Sequence, residues 1–231
     1  MNPEYENLIN SLVKDGYLKT PKIIEAFKQI DRVDFVLEEY KADAYINAPL
    51  PIGFGQTISQ PLTVAFMIEL LQPKTSEKIL EIGSGSGWQT AMLAYCISNA
   101  QTNTDENLGK NAGENQPAQG QSKVVAVERI LELKEMAQKN VAKHGFIEKG
   151  SVEIVLGDGS KGYKNEAPYD KIIAAAAAEG DVPALWKKQL KIGGRIVAPV
   201  GESIIVIDKI SKMKYIKKEY FGFSFVPLIK E

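Results

Sequence analysis

Three glycines on alternate positions, Gly83, Gly85 and Gly87, follow the short apolar run Lys78–Ile82. A second apolar segment, with the length of a helix, begins directly after them at Trp88. Glycine adopts positive φ without Cβ strain and lets a ligand approach the backbone, while the start of a helix offers unpaired N–H groups. A strand, a glycine loop and a helix in this order are typical of an α/β sheet that binds an adenosine-containing ligand.

The position of the third glycine separates two classes of ligand. In the dinucleotide-binding fingerprint this glycine comes one residue later, where the present chain has Trp88. The pattern Glu81-x-Gly83-x-Gly85-x-Gly87 instead resembles the first motif of the class I S-adenosylmethionine (AdoMet) methyltransferases. A glycine-rich turn without any ligand would give the same spacing, so the motif needs support from other strands.

An acidic residue also lies at the end of the second strand pattern and just after the end of the third. The second ends at Glu128, the expected distance for a carboxylate that binds ribose hydroxyls once the polar segment 99–122 is left out. The third is followed by Gly157, Asp158 and Gly159, where methyltransferases of this class place a side chain against the adenine amino group. Because the carboxyl ends of parallel strands meet at one edge of a sheet, we expect these residues and the glycine loop to form one site.

The composition excludes several kinds of chemistry. The 231 residues carry a formal net charge of −1, which predicts no general attraction to nucleic acid or to an anionic membrane. One cysteine, Cys96, and one histidine, His144, are too few for a zinc cluster or a disulfide framework. His144 stands beside Gly145 where a helical pattern ends, so we expect it to interact with the helix C-terminus rather than to act as the base of a Cys/His or Ser/His dyad. These counts and this charge lead us to expect no metal and no nucleic-acid partner. We see no signal peptide and no apolar run of transmembrane length, so we also expect no membrane partner and a cytoplasmic location.

Alternating strand and helix patterns predict the framework that positions these residues. We expect an α/β fold with a three-layer, doubly wound, mostly parallel sheet, preceded by a helical layer and closed by an antiparallel C-terminal strand. The chain is expected to be a single domain, 1–231, with N-terminal helices and a loop in 1–60, a ligand-binding core in 61–231, and a flexible polar insertion at 99–122. The predicted strands are Lys78–Ile82, Val124–Glu128, Val152–Leu156, Lys171–Ala175, Arg195–Val200, Ile204–Ile210 and Tyr220–Leu228; the predicted helices are Leu8–Leu18, one opened by Pro21, Asp31–Tyr40, Leu62–Leu71, Trp88–Ile97, Ile130–Lys143 and Pro183–Leu190.

The loop before the glycines carries the most specific resemblance to a known family. The segment Ile52–Pro61 resembles the signature loop of the protein-L-isoaspartate (D-aspartate) O-methyltransferases, and the likeness runs from about Leu8 to the C-terminus. It implies transfer of the AdoMet methyl group to the free carboxylate of L-isoaspartyl, and also D-aspartyl, residues in damaged proteins, which leaves S-adenosyl-L-homocysteine and starts repair. The supporting segments are Leu80–Ala91, Val127–Arg129, Gly157–Gly159, Gln189–Arg195, Pro199–Gly201 and Phe225–Leu228.

The resemblance also implies roles for single residues. Ser59 matches the family's active-site serine, and we expect it to orient the substrate carboxylate rather than to attack, since no base is predicted to activate it. The implied cofactor-binding residues are Gln56, Thr57, Ile58, Ser59, Glu81, Gly83, Ser84, Gly85, Gly87, Glu128, Arg129, Gly157, Asp158 and Gly159. The implied substrate-binding residues are Ile52, Gly53, Ser59, Ala175, Ala176 and Val226, and the partners would be damaged proteins or peptides bound by a monomer.

Two departures from the family pattern and three alternatives remain at this stage. Thr63 stands where many relatives have a histidine, and the polar insertion is longer than usual. An AdoMet-dependent methyltransferase of a small carboxylate would share Glu128 and Asp158 without needing the signature loop. A dinucleotide-dependent oxidoreductase fits less well, because Trp88 replaces the third fingerprint glycine, and a protein that binds AdoMet without turnover is the third alternative.

Overall fold

The computed structural model describes residues 1–98 and 122–230 of the chain. The polar insertion predicted over 99–122 therefore lies outside the described residues, except for Ser122. Helices α1 to α6 are Pro3–Lys14, Pro21–Gln29, Pro61–Leu71, Trp88–Ile97, Leu131–Ala142 and Ala184–Gln189. Strands β1 to β9 are Leu50–Gly53, Gln56–Ile58, Lys78–Ile82, Lys123–Glu128, Val152–Leu156, Tyr169–Ala174, Leu190–Val200, Ser203–Lys209 and Tyr215–Phe221, and short 3-10 helices cover Arg32–Phe35, Glu38–Asp43, Gly159–Lys161 and Lys164–Glu166.

The main sheet has the strand order β5-β4-β3-β6-β7-β8-β9. The first five of these strands are parallel, and β8 and β9 are antiparallel additions. The chain leaves β3 to one side through β4 and β5 and then continues on the other side with β6 and β7, so the topology switches between β3 and β6. Ligands bind at such a switch point, beyond the carboxyl ends of the strands. This arrangement confirms the predicted fold class.

Both faces of the central strands β3, β4 and β6 are buried, which explains why these strands are continuous apolar runs rather than alternating ones. Successive residues point to opposite faces, so Ile79 belongs to the larger core cluster and Leu80 to the smaller one. The larger cluster includes side chains from α1 to α5. On the opposite face, Trp186 of α6 and Tyr169 fill the smaller cluster. The N-terminal helices pack mainly on α3 and α4 and so extend the larger side.

The chain between residues 47 and 61, expected to be a loop, contains a two-stranded antiparallel hairpin, β1–β2. The pairing shifts register between Pro51 and Gly53, and the turn residues Gly53, Phe54 and Gly55 all have positive φ. Strands of three and four residues with proline and glycine give no recognisable alternation, which is why the sequence predicted only a loop. The hairpin leads directly into Ser59 and α3.

The antiparallel end of the sheet is confirmed, but the last strand is Tyr215–Phe221 rather than the predicted Tyr220–Leu228. Its lysine-rich sequence suits an exposed edge strand, where charged side chains prevent pairing with other chains. The residues after it return to the carboxyl edge of the parallel strands, where Pro227 forms an isolated parallel bridge with Ala177. The predicted third helix is also different, since Arg32–Phe35 and Glu38–Asp43 form two 3-10 helices.

The predicted division of the chain into 1–60 and 61–231 within one domain stays a prediction. Among the residues that the structure describes, no helix combines the length and the apolar character needed to span a bilayer.

Candidate functional site

The glycine loop, residues 83–87, connects the end of β3 to the start of α4. Its three glycines have φ values of 83°, 52° and 89°, a region that side-chain-bearing residues rarely adopt. A Cβ at Gly87 would lie 2.9 Å from Val141 Cγ2 and 3.1 Å from the Ala137 carbonyl oxygen. The third glycine is therefore required for close packing against α5, while the first two form the wall of a cavity.

Glu128 at the end of β4 fixes the glycine loop through backbone N–H groups. Its Oε2 accepts from Gly85 N at 3.0 Å, and its Oε1 accepts from Arg129 N at 2.9 Å and Ile130 N at 3.1 Å. The residue is 6% exposed and lines the cavity. Because Oε1 is satisfied by two donors and Oε2 by one, Oε2 keeps an acceptor site for a ligand hydroxyl.

Glu81 lies fully buried at the end of β3 and is held by uncharged donors from α4. Gln89 Nε2 donates to its Oε1 at 3.0 Å, and Thr90 Oγ1 donates to its Oε2. Burial raises the pKa of Glu81 to about 7, against the two hydrogen bonds and with a smaller contribution from the charge of Glu128. A positive charge in the cavity would favour the ionised form of Glu81 and would itself be stabilised by it.

A cavity of about 390 Å³ extends from the glycine loop to the hairpin. This volume is in the usual range for a cofactor site. It brings together most of the residues expected from the sequence, although they come from six separate segments of the chain. Those that line it are Gln56, Thr57, Ile58, Ser59, Glu81, Gly83, Ser84, Gly85, Glu128, Arg129, Gly159, Ala175, Ala176 and Val226.

Five of the expected residues do not line this cavity: Ile52, Gly53, Gly87, Gly157 and Asp158. Asp158 is turned into its own 3-10 turn, where its carboxylate accepts from Ser160 N at 2.9 Å and lies 3.2 Å from Lys161 Nζ. Ile52 is 1% exposed and lies below the glycine loop, since its Cδ1 would be 3.4 Å from a Cβ at Gly85. Ile52 and Gly87 therefore support the glycine loop by packing and do not face the cavity.

The C-terminal segment, residues 224–229, forms a wall of the cavity. It is attached by Ala177, whose N donates to the Val226 carbonyl and whose carbonyl accepts from Leu228 N, both at 2.8 Å. From the sequence only Val226 was expected at the site. The local pattern predicted a strand over Tyr220–Leu228, but the observed position of the segment depends on two backbone hydrogen bonds to a residue about fifty positions earlier. Further lining residues that sequence reasoning did not assign include Pro49, Gln60, Thr63, Trp88, Gln89 and Leu133.

The chemistry of the wall fits AdoMet. The Ser84 hydroxyl belongs to a residue that is 5% exposed, and no hydrogen-bond partner for it is found within the described part of the chain. An unpaired buried hydroxyl costs free energy, so a polar ligand group beside it would be stabilising. The carboxylates of Glu81 and Glu128 add negative charge, which suits a ligand with a sulfonium and an ammonium group. No group of three or more His, Cys, Asp and Glu side chains with metal-binding geometry occurs in residues 1–98 and 122–230.

Comparison with known proteins shows to which family the chain belongs. The family model for "Protein-L-isoaspartate(D-aspartate) O-methyltransferase (PCMT)" matches residues 3–231. The chain belongs to this family. The protein-L-isoaspartate O-methyltransferase of Staphylothermus marinus is 39% identical over 239 residues, covering 100% of this chain and 98% of its relative. Protein-L-isoaspartate O-methyltransferase 2 of Archaeoglobus fulgidus is 41% identical over 210 residues, covering 90% of this chain and 84% of its own length.

A solved structure of a related protein shows that the likeness also holds for the fold. The protein-L-isoaspartate O-methyltransferase of Plasmodium falciparum, in complex with S-adenosyl-L-homocysteine, superposes with a TM-score of 0.80 over 100% of both chains at 22% identity. At this identity the likeness shows the fold, over the full length of both chains.

Proposed function

We propose that this protein transfers the methyl group of AdoMet to the free carboxylate of L-isoaspartyl residues in damaged proteins, and that the resulting ester starts their repair. We expect D-aspartyl residues to be accepted as well. The observation that carries the proposal is the meeting of two sequence features in one cavity. The segment Gln56–Ser59 of the family's signature loop and the glycine loop line the same space, so a substrate acid held by the first lies next to a cofactor held by the second.

The cofactor end of the cavity is formed by the carboxyl ends of β3 and β4. When bound, AdoMet supplies a methyl group on a sulfonium sulfur, which is strongly electrophilic. Glu128 would accept a ribose hydroxyl through Oε2, and Ser84 would hydrogen-bond the amino-acid end. Glu81 would stabilise the positive charge of the cofactor from behind the loop.

The substrate end of the cavity needs to orient an acid rather than to remove a proton. A carboxylate is already ionised at neutral pH, with a reference pKa near 4. This fits a wall whose described lining contains no histidine. The Ser59 hydroxyl would donate to the substrate carboxylate and fix its direction. Holding two reactants in a productive geometry accounts for up to about 7–11 kcal/mol of a reaction barrier.

The substrate peptide would enter between the C-terminal segment and the small side chains Ala175 and Ala176. Small residues at this edge leave room for a polypeptide backbone. The Val226 carbonyl already accepts from Ala177 N, so a peptide that pairs with this segment as a strand would use its other edge. The monomeric state, the absence of nucleic-acid and membrane partners, and the cytoplasmic location stay predictions from the sequence.

A methyl-transfer assay with paired peptides tests the proposal. We expect labelled methyl groups to be transferred from AdoMet to a peptide with one L-isoaspartyl residue, and not to its twin with a normal aspartyl residue. Equal labelling of both peptides, or preference for a free small acid over the isoaspartyl peptide, would support a different methyltransferase. No transfer to any acceptor would contradict the proposed activity.

The role of Ser59 is tested in the same assay. Ser59→Ala should lower kcat by roughly 10- to 100-fold, the effect of losing one hydrogen bond to a charged group, with a smaller change in cofactor affinity. Ser98→Ala is a matched control, because that hydroxyl donates to the Tyr95 carbonyl at the end of α4 and does not line the cavity. An unchanged kcat for Ser59→Ala would remove the serine from the mechanism.

A further inference from the structure

The most deeply buried charge of the N-terminal layer is the guanidinium of Arg32, which has no exposed surface. Its four hydrogen bonds all go to backbone carbonyls. Nη1 donates to Ala44 O at 2.9 Å and to Ile46 O at 3.1 Å. Nη2 donates to Ala48 O at 2.8 Å and to Ser59 O at 3.1 Å. Burying an arginine whose partners are all neutral costs desolvation free energy. We therefore expect a structural role for its planar, multidentate set of donors.

The four carbonyls lie at the two ends of the β1–β2 hairpin. Residues 44–48 lead into β1, and Ser59 directly follows β2. One guanidinium therefore closes the base of the hairpin by binding the incoming and the outgoing chain at the same time. The hairpin itself is short and has a register shift, so its own ladder gives little rigidity.

The same guanidinium also contacts the cofactor side of the site. Its central carbon lies 5.3 Å from the ring centroid of Trp88, in a cation–π arrangement. Trp88 is the first residue of α4, directly after the glycine loop, and it lines the cavity. Its ring is held in turn by Phe27 and by a 3.3 Å hydrogen bond from Nε1 to the Ile30 carbonyl. Arg32 thus lies between the backbone of Ser59 and the start of the cofactor-binding helix.

We propose that Arg32 is a positioning residue for methyl transfer, which sets the distance between Ser59 and the glycine loop without touching either reactant. The assignment rests on the proposed function and on the role of Ser59 within it. Methyl transfer between two bound groups depends on their alignment, and a displacement of 1 Å costs about 100-fold in rate. Lysine cannot replace arginine here, because an ammonium is a single point with three donors and cannot reach both ends of the hairpin.

The test separates positioning from stability. Arg32→Lys and Arg32→Gln are compared with the wild type for kcat on the isoaspartyl peptide, for the Kd of S-adenosyl-L-homocysteine by calorimetry, and for Tm. We expect kcat per folded molecule to fall by about 10- to 100-fold in both variants, with the Kd changed by less than about threefold. Arg32→Gln removes the buried charge, so it can still be assayed if Arg32→Lys folds poorly.

Two control variants show whether a loss of kcat in the Arg32 variants comes from positioning or from lower stability. Ser11→Ala removes another side-chain hydrogen bond to a backbone carbonyl in the same layer, 2.8 Å from Ser11 Oγ to Leu8 O, and should leave kcat unchanged. Leu12→Ala opens a cavity in α1 and should lower Tm without lowering kcat per folded molecule.

Three results would overturn the role assigned to Arg32, and they differ in what they imply for the proposed function. A wild-type kcat in either Arg32 variant would overturn the assignment while leaving the proposed function intact. A loss of kcat that Leu12→Ala reproduces, or failure of both Arg32 variants to fold, would show a role in stability and would also overturn it. Absence of wild-type turnover on the isoaspartyl peptide would instead overturn the proposed function, and with it this assignment.

Discussion

The two edges of the parallel sheet place their carboxylates in opposite environments. At the amino edge, Glu166 lies between Lys78 and Lys123, with N–O distances of 3.1 and 3.0 Å, and Lys123 also pairs with Glu153 at 2.7 Å. These cations lower the pKa of Glu166. The carboxylate charge at this edge is neutralised by the protein itself, as expected of a part that serves stability.

At the carboxyl edge, the two acidic groups that line the cavity, Glu81 and Glu128, are held by neutral donors instead. Glu128 accepts from three backbone N–H groups, and Glu81 accepts from an amide and a hydroxyl. Burial raises the pKa of Glu81 to about 7. Within the described residues, neither Glu81 nor Glu128 forms an ion pair, so a cationic ligand at this edge would supply the missing positive charge. The same residue type therefore has charged partners at one edge and neutral partners at the other.

The largest expected effect is on the stability of the ligand-free protein and comes from Glu81. Its pKa is about 7 in the folded state and near 4.5 when unfolded, so the folded state binds more protons between these values and stability falls as pH rises through them. The shift corresponds to about 3 kcal/mol. Urea unfolding should show Glu81→Gln and the wild type similar at pH 5 and the variant more stable at pH 8. A difference that does not change with pH would contradict this.

How far the sequence predicts these two edges depends on the kind of signal. Strands such as Lys78–Ile82 and Val152–Leu156 were predicted with their observed bounds, because a buried parallel strand is a short continuous apolar run between turns. The glycine loop and Glu128 follow from the same pattern, since a strand end fixes where the next residues lie. The doubly wound core was therefore predictable from local rules.

The rest of the site depends on contacts that local patterns do not contain. The C-terminal segment was expected as a strand of the main sheet, but it is attached to Ala177 by two backbone hydrogen bonds, a contact between residues about fifty positions apart. The direction of the Asp158 side chain, which accepts from Ser160 N, cannot be read from its place after a strand. Arg32 had no signal at all, because arginine is nearly always exposed and nothing in its neighbours marks it as buried.

A second prediction tests the carboxyl edge directly through Glu128. Glu128→Ala should weaken binding of S-adenosyl-L-homocysteine by roughly 10- to 100-fold, because charged hydrogen bonds to the glycine loop and to the ligand are lost together. Calorimetry gives the Kd. Glu153→Ala, at the amino edge, is the matched control and should leave the Kd unchanged. Equal effects of the two variants would remove the distinction between the edges.

A third prediction concerns the cofactor's positive charge. AdoMet should bind about tenfold more tightly at pH 8 than at pH 6, because the ionised form of Glu81, with a pKa of about 7, favours a cation. S-adenosyl-L-homocysteine lacks the sulfonium charge and should depend on pH less. Glu81→Gln removes the contribution of this residue and leaves that of the ligand's own amino group. The idea fails if the variant retains the full pH dependence.

The smallest expected effect is at the amino edge, where Glu166→Gln breaks an ion-pair network whose side chains are 22–31% exposed. Partly exposed pairs of this kind contribute less than about 1 kcal/mol and are screened by salt. Because its pKa is lowered, Glu166 stabilises the fold above pH 4.5 and loses this contribution as the pH falls through the folded-state pKa, the opposite direction to Glu81. Urea unfolding at low and high salt should therefore show a small loss at pH 7 that shrinks with salt and disappears in acid, with cofactor affinity unchanged. A loss of affinity would mean that the two edges are coupled through the strands between them, and that their charges do not act independently.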